Sequence, residues 1–150
     1  MELKLNLKSE NDTLLLAQNI ESEKFPNMVI CLIGDLGSGK TFFTKAFAQS
    51  MEINENITSP TFNIIKEYIT GEMPLYHMDV YRLDGDTTSI NIEDYYNMGG
   101  VTIIEWADTI EDILPDERLE IRLQLVDEDK RVAIINAYGE KYENILGTLS

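Results

Sequence analysis

The sequence predicts an α/β fold: one domain over residues 1–150, with a mixed, mostly parallel sheet flanked by helices and closed by a C-terminal antiparallel hairpin. Three observations lead there. The continuous apolar run MVICLI (28–33) passes through a glycine-rich turn into a helical pattern. A second run, VTIIE (101–105), has the same character, that of a strand buried on both faces. Near the end, two alternating stretches flank a polar turn, as in a hairpin. A chain of 150 residues with 43% apolar side chains can bury a real core, and neither repeats nor a linker divide it.

The elements follow in order. Leu3, Leu5 and Leu7 alternate with polar residues and predict a half-buried strand. Leu14, Leu15, Ala17, Gln18 and Ile20 fall near helical spacing within 10–24, with Ser9 or Asn11 as the cap. After the glycine-rich turn, Phe43, Ala46, Phe47 and Met51 mark one face of a helix. Strands are expected over 62–69 and 75–83, separated by a turn at Gly71. A short helix over 92–98 closes at Gly99-Gly100, and another follows VTIIE and stops at Pro115. Leu119, Ile121, Leu123 and Leu125 alternate, as do Val132 and Ile134 beyond the turn 127–130, which places an antiparallel hairpin at the sheet's end. A last helix runs over about 140–146.

Charge narrows the function. Twelve basic against 27 acidic residues leave a net charge of −15, a surface that repels a phosphate backbone. Direct nucleic-acid binding is not expected, and any RNA would be held by another protein. No apolar run reaches the roughly 18 residues of a membrane span, and the opening MELKLNLKSE has no secretory h-region. The single cysteine, Cys31, lies inside the apolar run and reads as a small buried residue, in keeping with a reducing cytoplasm.

GDLGSGKT (34–41) matches G-x-x-x-x-G-K-[ST] at every fixed position, between a strand and a helix, and so predicts a P-loop NTPase domain. In such a loop glycines let backbone N–H groups face the β-phosphate, and the next helix presents its positive end. Asp35, Leu36, Gly37, Ser38, Gly39, Lys40, Thr41 and Phe42 are the expected nucleotide-binding residues. Lys40 would reach the β- and γ-phosphates and the Thr41 hydroxyl would ligate Mg²⁺. A second acid should hold the metal from a neighbouring strand end. Glu105, ending VTIIE, is favoured over Asp79 in YHMDVYR, because a buried strand delivers it. No N-K-x-D or D-x-x-G occurs, so ATP is expected rather than GTP. Only four arginines exist (Arg82, Arg118, Arg122, Arg131), none in a lid-like segment, which weighs against a small-molecule kinase, the alternative reading. Arg131 reads as an exposed turn residue rather than as a group lying against adenine.

GDLGSGKT, SPTF (59–62), HMDVYRL (77–83), IEW (104–106) and LP (114–115) together resemble the TsaE family, also called YjeE, over about residues 10–120. The resemblance implies a slow Mg²⁺-dependent ATPase of tRNA threonylcarbamoyladenosine modification. Its implied partners are TsaB and TsaD, with tRNA engaged only through them. The family protein acts as a switch on that complex, and TsaD as the transferase. Carried onto this chain, Lys40, Asp79 and Glu105 become the catalytic residues, with Thr41 and Glu105 holding the metal and Asp79 orienting water. Ser59, Pro60, Thr61 and Phe62 form a switch-like loop, and Tyr81, Arg82 and Trp106 lie near the nucleotide or a partner. His77 reads as a strand histidine that positions its neighbours rather than as a base. Ser38 departs from the family's usual alanine and Asn91 from a glycine, although asparagine tolerates the left-handed region.

Overall fold

Val29–Ile33, buried along its whole length, forms the centre of a single seven-stranded sheet. The structure is a computed structural model that describes residues 1–58, 60, 64–88 and 90–150. In chain order the strands are β1 (Glu2–Leu7), β2 (Val29–Ile33), β3 (Ile65–Tyr68), β4 (Leu75–Asp79), β5 (Val101–Glu105), β6 (Arg118–Leu125) and β7 (Arg131–Tyr138). The helices are α1 (Glu10–Glu21), α2 (Lys40–Ser50) and α3 (Glu140–Leu149). Across the sheet the order is β1-β7-β6-β2-β5-β4-β3. The four central strands, β6, β2, β5 and β4, run parallel, and antiparallel strands flank them on both sides. The hairpin β6–β7 is therefore internal: β6 pairs with β2, and β1 covers β7 as the outer edge.

The apolar runs have nothing polar to alternate because both faces of the sheet are covered. Ile30, Leu32, Val101 and Ile103 point into a core built with α1, α2 and α3, where Phe43 and Phe47 stack at 6.2 Å. Burying each phenylalanine contributes about 1.5–3 kcal/mol. Val29, Cys31, Met78 and Ile104 point the other way, under two stretches of 3₁₀-helix, Ile92–Asn97 and Ala107–Ile113. Cys31 is fully buried, and desolvation raises its thiol pKa far above the ordinary range.

Several expected elements differ in detail. The strand expected over 75–83 stops at Asp79, because Val80 leaves extended geometry (φ −98, ψ 12) and Tyr81–Leu83 forms one 3₁₀ turn. The Asp79 carboxylate accepts the Tyr81 N–H at 3.1 Å, a local side-chain bond that competes with the ladder. The strand expected over 62–69 is present as Ile65–Tyr68, and residues 62 and 63 lie outside the described set. Ser9 caps α1 by position, without a side-chain bond, while the Asp12 carboxylate accepts the Lys8 N–H at 2.8 Å. Asn91 lies at φ −92 and does not use the left-handed region. Among the described residues no helix is long and apolar enough to cross a membrane.

Candidate active site

β2 and β6 lie side by side, and this proximity shapes the loop that follows β2. A Cβ on Gly34 would collide with the Leu123 carbonyl oxygen of β6, so only glycine lets the chain leave the sheet there. At Gly39 the backbone is left-handed (φ 107), which turns the chain sharply into α2 and aims the first, unbonded N–H groups of that helix at the loop. Leu36 stands at the loop's tip, 82% exposed, whereas Ser38 is buried.

Lys40 opens α2 and folds back over the loop. Its Nζ donates to the carbonyl oxygens of Gly34 at 2.6 Å and Asp35 at 2.9 Å, and lies 3.5 Å from the Ser38 Oγ. The same ammonium sits 4.1 Å from the centroid of the Trp106 ring. Burial lowers the Lys40 pKa, and the negative field of Glu105, Asp79, Asp35 and Asp108 opposes that shift.

The strand order brings the second half of the site to the same place. β5 is the immediate neighbour of β2, so Glu105 at its C-terminal end faces the start of α2. The Thr41 hydroxyl donates to the Glu105 carboxylate, at 3.1 Å from Oε1 and 3.3 Å from Oε2. His77 Nε2 lies 2.5 Å from Oε2 of the same carboxylate. Asp79 pairs in register with Glu105 across β4–β5, half-buried at the rim. In an open α/β sheet the carboxyl ends of parallel strands are where ligands bind, and the ends of β2, β4 and β5 meet here.

The description "Threonylcarbamoyl adenosine biosynthesis protein TsaE" belongs to the family model that matches residues 7–133. The chain belongs to the TsaE family. It is 41% identical over 149 residues to the tRNA threonylcarbamoyladenosine biosynthesis protein TsaE of Bacillus subtilis (strain 168), covering 99% of this chain and 94% of that one. Against the Rickettsia bellii (strain RML369-C) protein of the same name, identity is 38% over 136 residues, covering 88% and 94%. The solved structure titled "Crystal structure of Bacillus subtilus YdiB" superimposes with a TM-score of 0.87 at 38% identity, over 99% of this chain and 94% of that one.

Within this TsaE fold the remaining expected residues fall in three places. Tyr81 and Trp106 stack obliquely at 4.7 Å between ring centroids, Tyr81 being 57% exposed. Trp106 carries a left-handed backbone (φ 64), an uncommon state for so bulky a residue, fixed by its N–H donating to the Leu32 carbonyl at 3.0 Å. Arg82 is exposed on the turn beside Tyr81. Of the switch-like segment, Pro60 is buried and its carbonyl accepts the Ile64 N–H at 3.1 Å, whereas Ser59, Thr61 and Phe62 lie outside the described residues. Phe42 is half-buried and lines a cleft of about 200 Å³ with Ser9, Glu10, Thr13, Gly39 and Arg131.

Arg131 is the residue that the sequence reading missed. It is no exposed turn residue: it begins β7, half-buried, and its guanidinium donates to the Ser38 carbonyl at 3.0 Å and the Gly37 carbonyl at 3.2 Å. Ninety-odd residues of sequence separate it from the loop, and only the antiparallel return of β7 along β6 joins them, so no local pattern announced it.

Proposed function

We propose that the chain is a Mg²⁺-dependent ATPase that acts with the TsaB–TsaD pair in forming threonylcarbamoyladenosine beside the tRNA anticodon, as an energy-driven switch rather than as the transferase. One observation carries the reading: a phosphate-loop lysine, a helix N-terminus and a Thr41–Glu105 oxygen pair converge at the ends of adjacent strands.

The donor set fits magnesium. Both candidate ligands are oxygens, the hydroxyl of Thr41 and the carboxylate of Glu105, which is the hard-ligand chemistry Mg²⁺ takes. Among the described residues no cluster of three His, Cys, Asp or Glu side chains could hold a metal by itself. Mg²⁺ in nucleotide sites ordinarily uses one or two protein groups plus substrate phosphates, so two protein oxygens suffice. Thr41 and Glu105 would hold the ion, which would supply charge neutralisation to the nucleotide phosphates. Lys40 holds the β- and γ-phosphates, and the loop amides bind the β-phosphate. Asp79 orients the attacking water at the rim of the site. The cleft beside Phe42 and Arg131 has room for the base and ribose. A chain of net charge −15 leaves the tRNA to its partners.

The test is ATP turnover by the purified protein, alone and with TsaB–TsaD from the same source. Strong stimulation by the pair, abolished by Lys40→Ala, is expected. Unchanged turnover in a complex verified as active would overturn coupled hydrolysis.

A further inference from the structure

The chain has one histidine, and the fold buries it completely against the carboxylate at the centre of the site. We infer that His77 is a positioning residue for Glu105: a buried hydrogen bond from its Nε2 fixes the carboxylate that holds the metal and so sets how strongly the divalent cation supports nucleotide binding. This rests on the Mg²⁺-nucleotide reading above.

The register of two strands creates the contact. β4 and β5 pair in parallel with Asp79 opposite Glu105 and His77 opposite Ile103. Side chains two apart on one strand share a face, so His77 stands diagonally across from Glu105 on the side of α2. Glu105 is only 2% exposed, so the side chains packed around it bear on its orientation. The Thr41 hydroxyl lies 3.1 Å and 3.3 Å from the two Glu105 oxygens and His77 Nε2 contacts Oε2, so these two side chains together hold the carboxylate.

His77 Nδ1 is buried without a hydrogen-bond partner among the described residues. A histidine kept for its bulk could be replaced by an apolar side chain of similar size, and a histidine serving the strand network would use both nitrogens. Among the described residues, this one makes a single polar contact, with Glu105. Partners that orient metal ligands commonly control affinity, and losing one costs roughly 10–100-fold.

The experiment measures ADP affinity, with a fluorescent ADP analogue, in Mg²⁺ and in EDTA, for wild type, His77→Asn and His77→Gln. The glutamine amide nitrogen lies about as far along the side chain as Nε2, whereas the asparagine nitrogen corresponds to Nδ1 and falls short. His77→Asn should lose most of the affinity gained from Mg²⁺, roughly tenfold or more, with Mg²⁺-free affinity unchanged, and His77→Gln should recover part of it. An Mg²⁺ gain in His77→Asn equal to wild type, or equal losses with and without the metal, overturns the proposal. A wild type whose ADP binding ignores Mg²⁺ overturns the Mg²⁺-nucleotide reading on which the inference rests, which is distinguishable from a wild-type Mg²⁺ gain that His77→Asn leaves intact. Should His77→Asn fail to fold, the wild type decides: as the sole histidine, His77 gives one set of imidazole ¹⁵N signals. An Nε2–H tautomer whose signal moves when Mg²⁺ joins the ADP complex supports the inference, and an Nδ1–H tautomer or an unmoved signal defeats it.

Discussion

Arg131 Nε donates to the Ser38 carbonyl oxygen at 3.0 Å, tying the first residue of β7 to the middle of the phosphate loop. With the Gly37 carbonyl bound at 3.2 Å by the same guanidinium, two successive peptide groups have their oxygens held outward. A peptide whose carbonyl is held on one side presents its N–H to the other: the Ser38 N–H donates to the Asp35 carbonyl at 3.1 Å, and the clasp from outside helps hold that turn of the loop.

Arg131→Ala should therefore weaken ADP binding without unfolding the protein. The two bonds are partly solvated, and their joint loss is expected to cost about 1–1.5 kcal/mol, roughly tenfold in affinity. Arg131→Lys should recover little, since an ammonium cannot bridge both oxygens in the guanidinium's fork. Calorimetric titration with MgADP checks this, and wild-type affinity in Arg131→Ala would show that the loop holds its shape unaided.

How much of this site was legible beforehand differs by residue. Lys40 and Thr41 belong to one contiguous motif, and Glu105 ends an apolar run that reads as a central strand, so local pattern was enough to place all three at adjacent strand and helix ends. The termination of β4 at Asp79 was hidden because Tyr76, Met78 and Val80 keep the strand's apolar alternation past the point where the Asp79 carboxylate captures the Tyr81 N–H. The Arg131 clasp depends on hairpin register and strand order, neither of which composition around position 131 encodes. The sequence marks His77 as a strand histidine that positions its neighbours, but that Glu105 is among them follows only from the parallel pairing of β4 with β5.

Gly34→Ala should damage the protein at its core as well as its site. The added methyl group meets the backbone of Leu123, which cannot rotate away, so β6 or the loop must shift. Overpacking of this kind costs about 1–3 kcal/mol. Urea denaturation should show that loss in the absence of ligand, together with loss of ADP binding. Wild-type stability would mean that the loop leaves the sheet with more slack than the backbone contact allows.

Tyr142 links α3 to the central strand, its phenol oxygen accepting the Val29 N–H at 2.8 Å. Burial, the main cause, pushes the phenol pKa up to about 12, although the Val29 N–H pulls it down. An exposed tyrosine in the unfolded chain titrates near pH 10. Between these values the folded state keeps a proton that the unfolded state has lost, so stability should fall as pH rises from about 10 to about 12. Below that window the stabilisation is fully present. Tyr142→Phe leaves the buried Val29 N–H without its acceptor and should cost about 1–3 kcal/mol at neutral pH. It should also flatten the alkaline decline. Urea melts of both proteins at several pH values from 8 to 12 test both effects, and parallel curves would refute the phenol's part in the decline.

Trp106 is the only tryptophan, and its ring lies 4.1 Å below the Lys40 ammonium and against Tyr81. A cation held over an indole face is attracted to the ring and perturbs its electronic environment. Phosphate at the loop would draw Lys40 toward the β-phosphate and alter that contact, so tryptophan emission should change on adding MgADP. In Lys40→Met the cation is gone, and the change should vanish even at ADP concentrations high enough to overcome weakened binding. Tyr81→Ala should preserve the response while exposing the ring and shifting the emission to longer wavelength. An emission that stays constant while calorimetry records ADP binding would mean that Lys40 keeps its place over the indole throughout, and that its phosphate contact is made without leaving the Gly34 and Asp35 carbonyls.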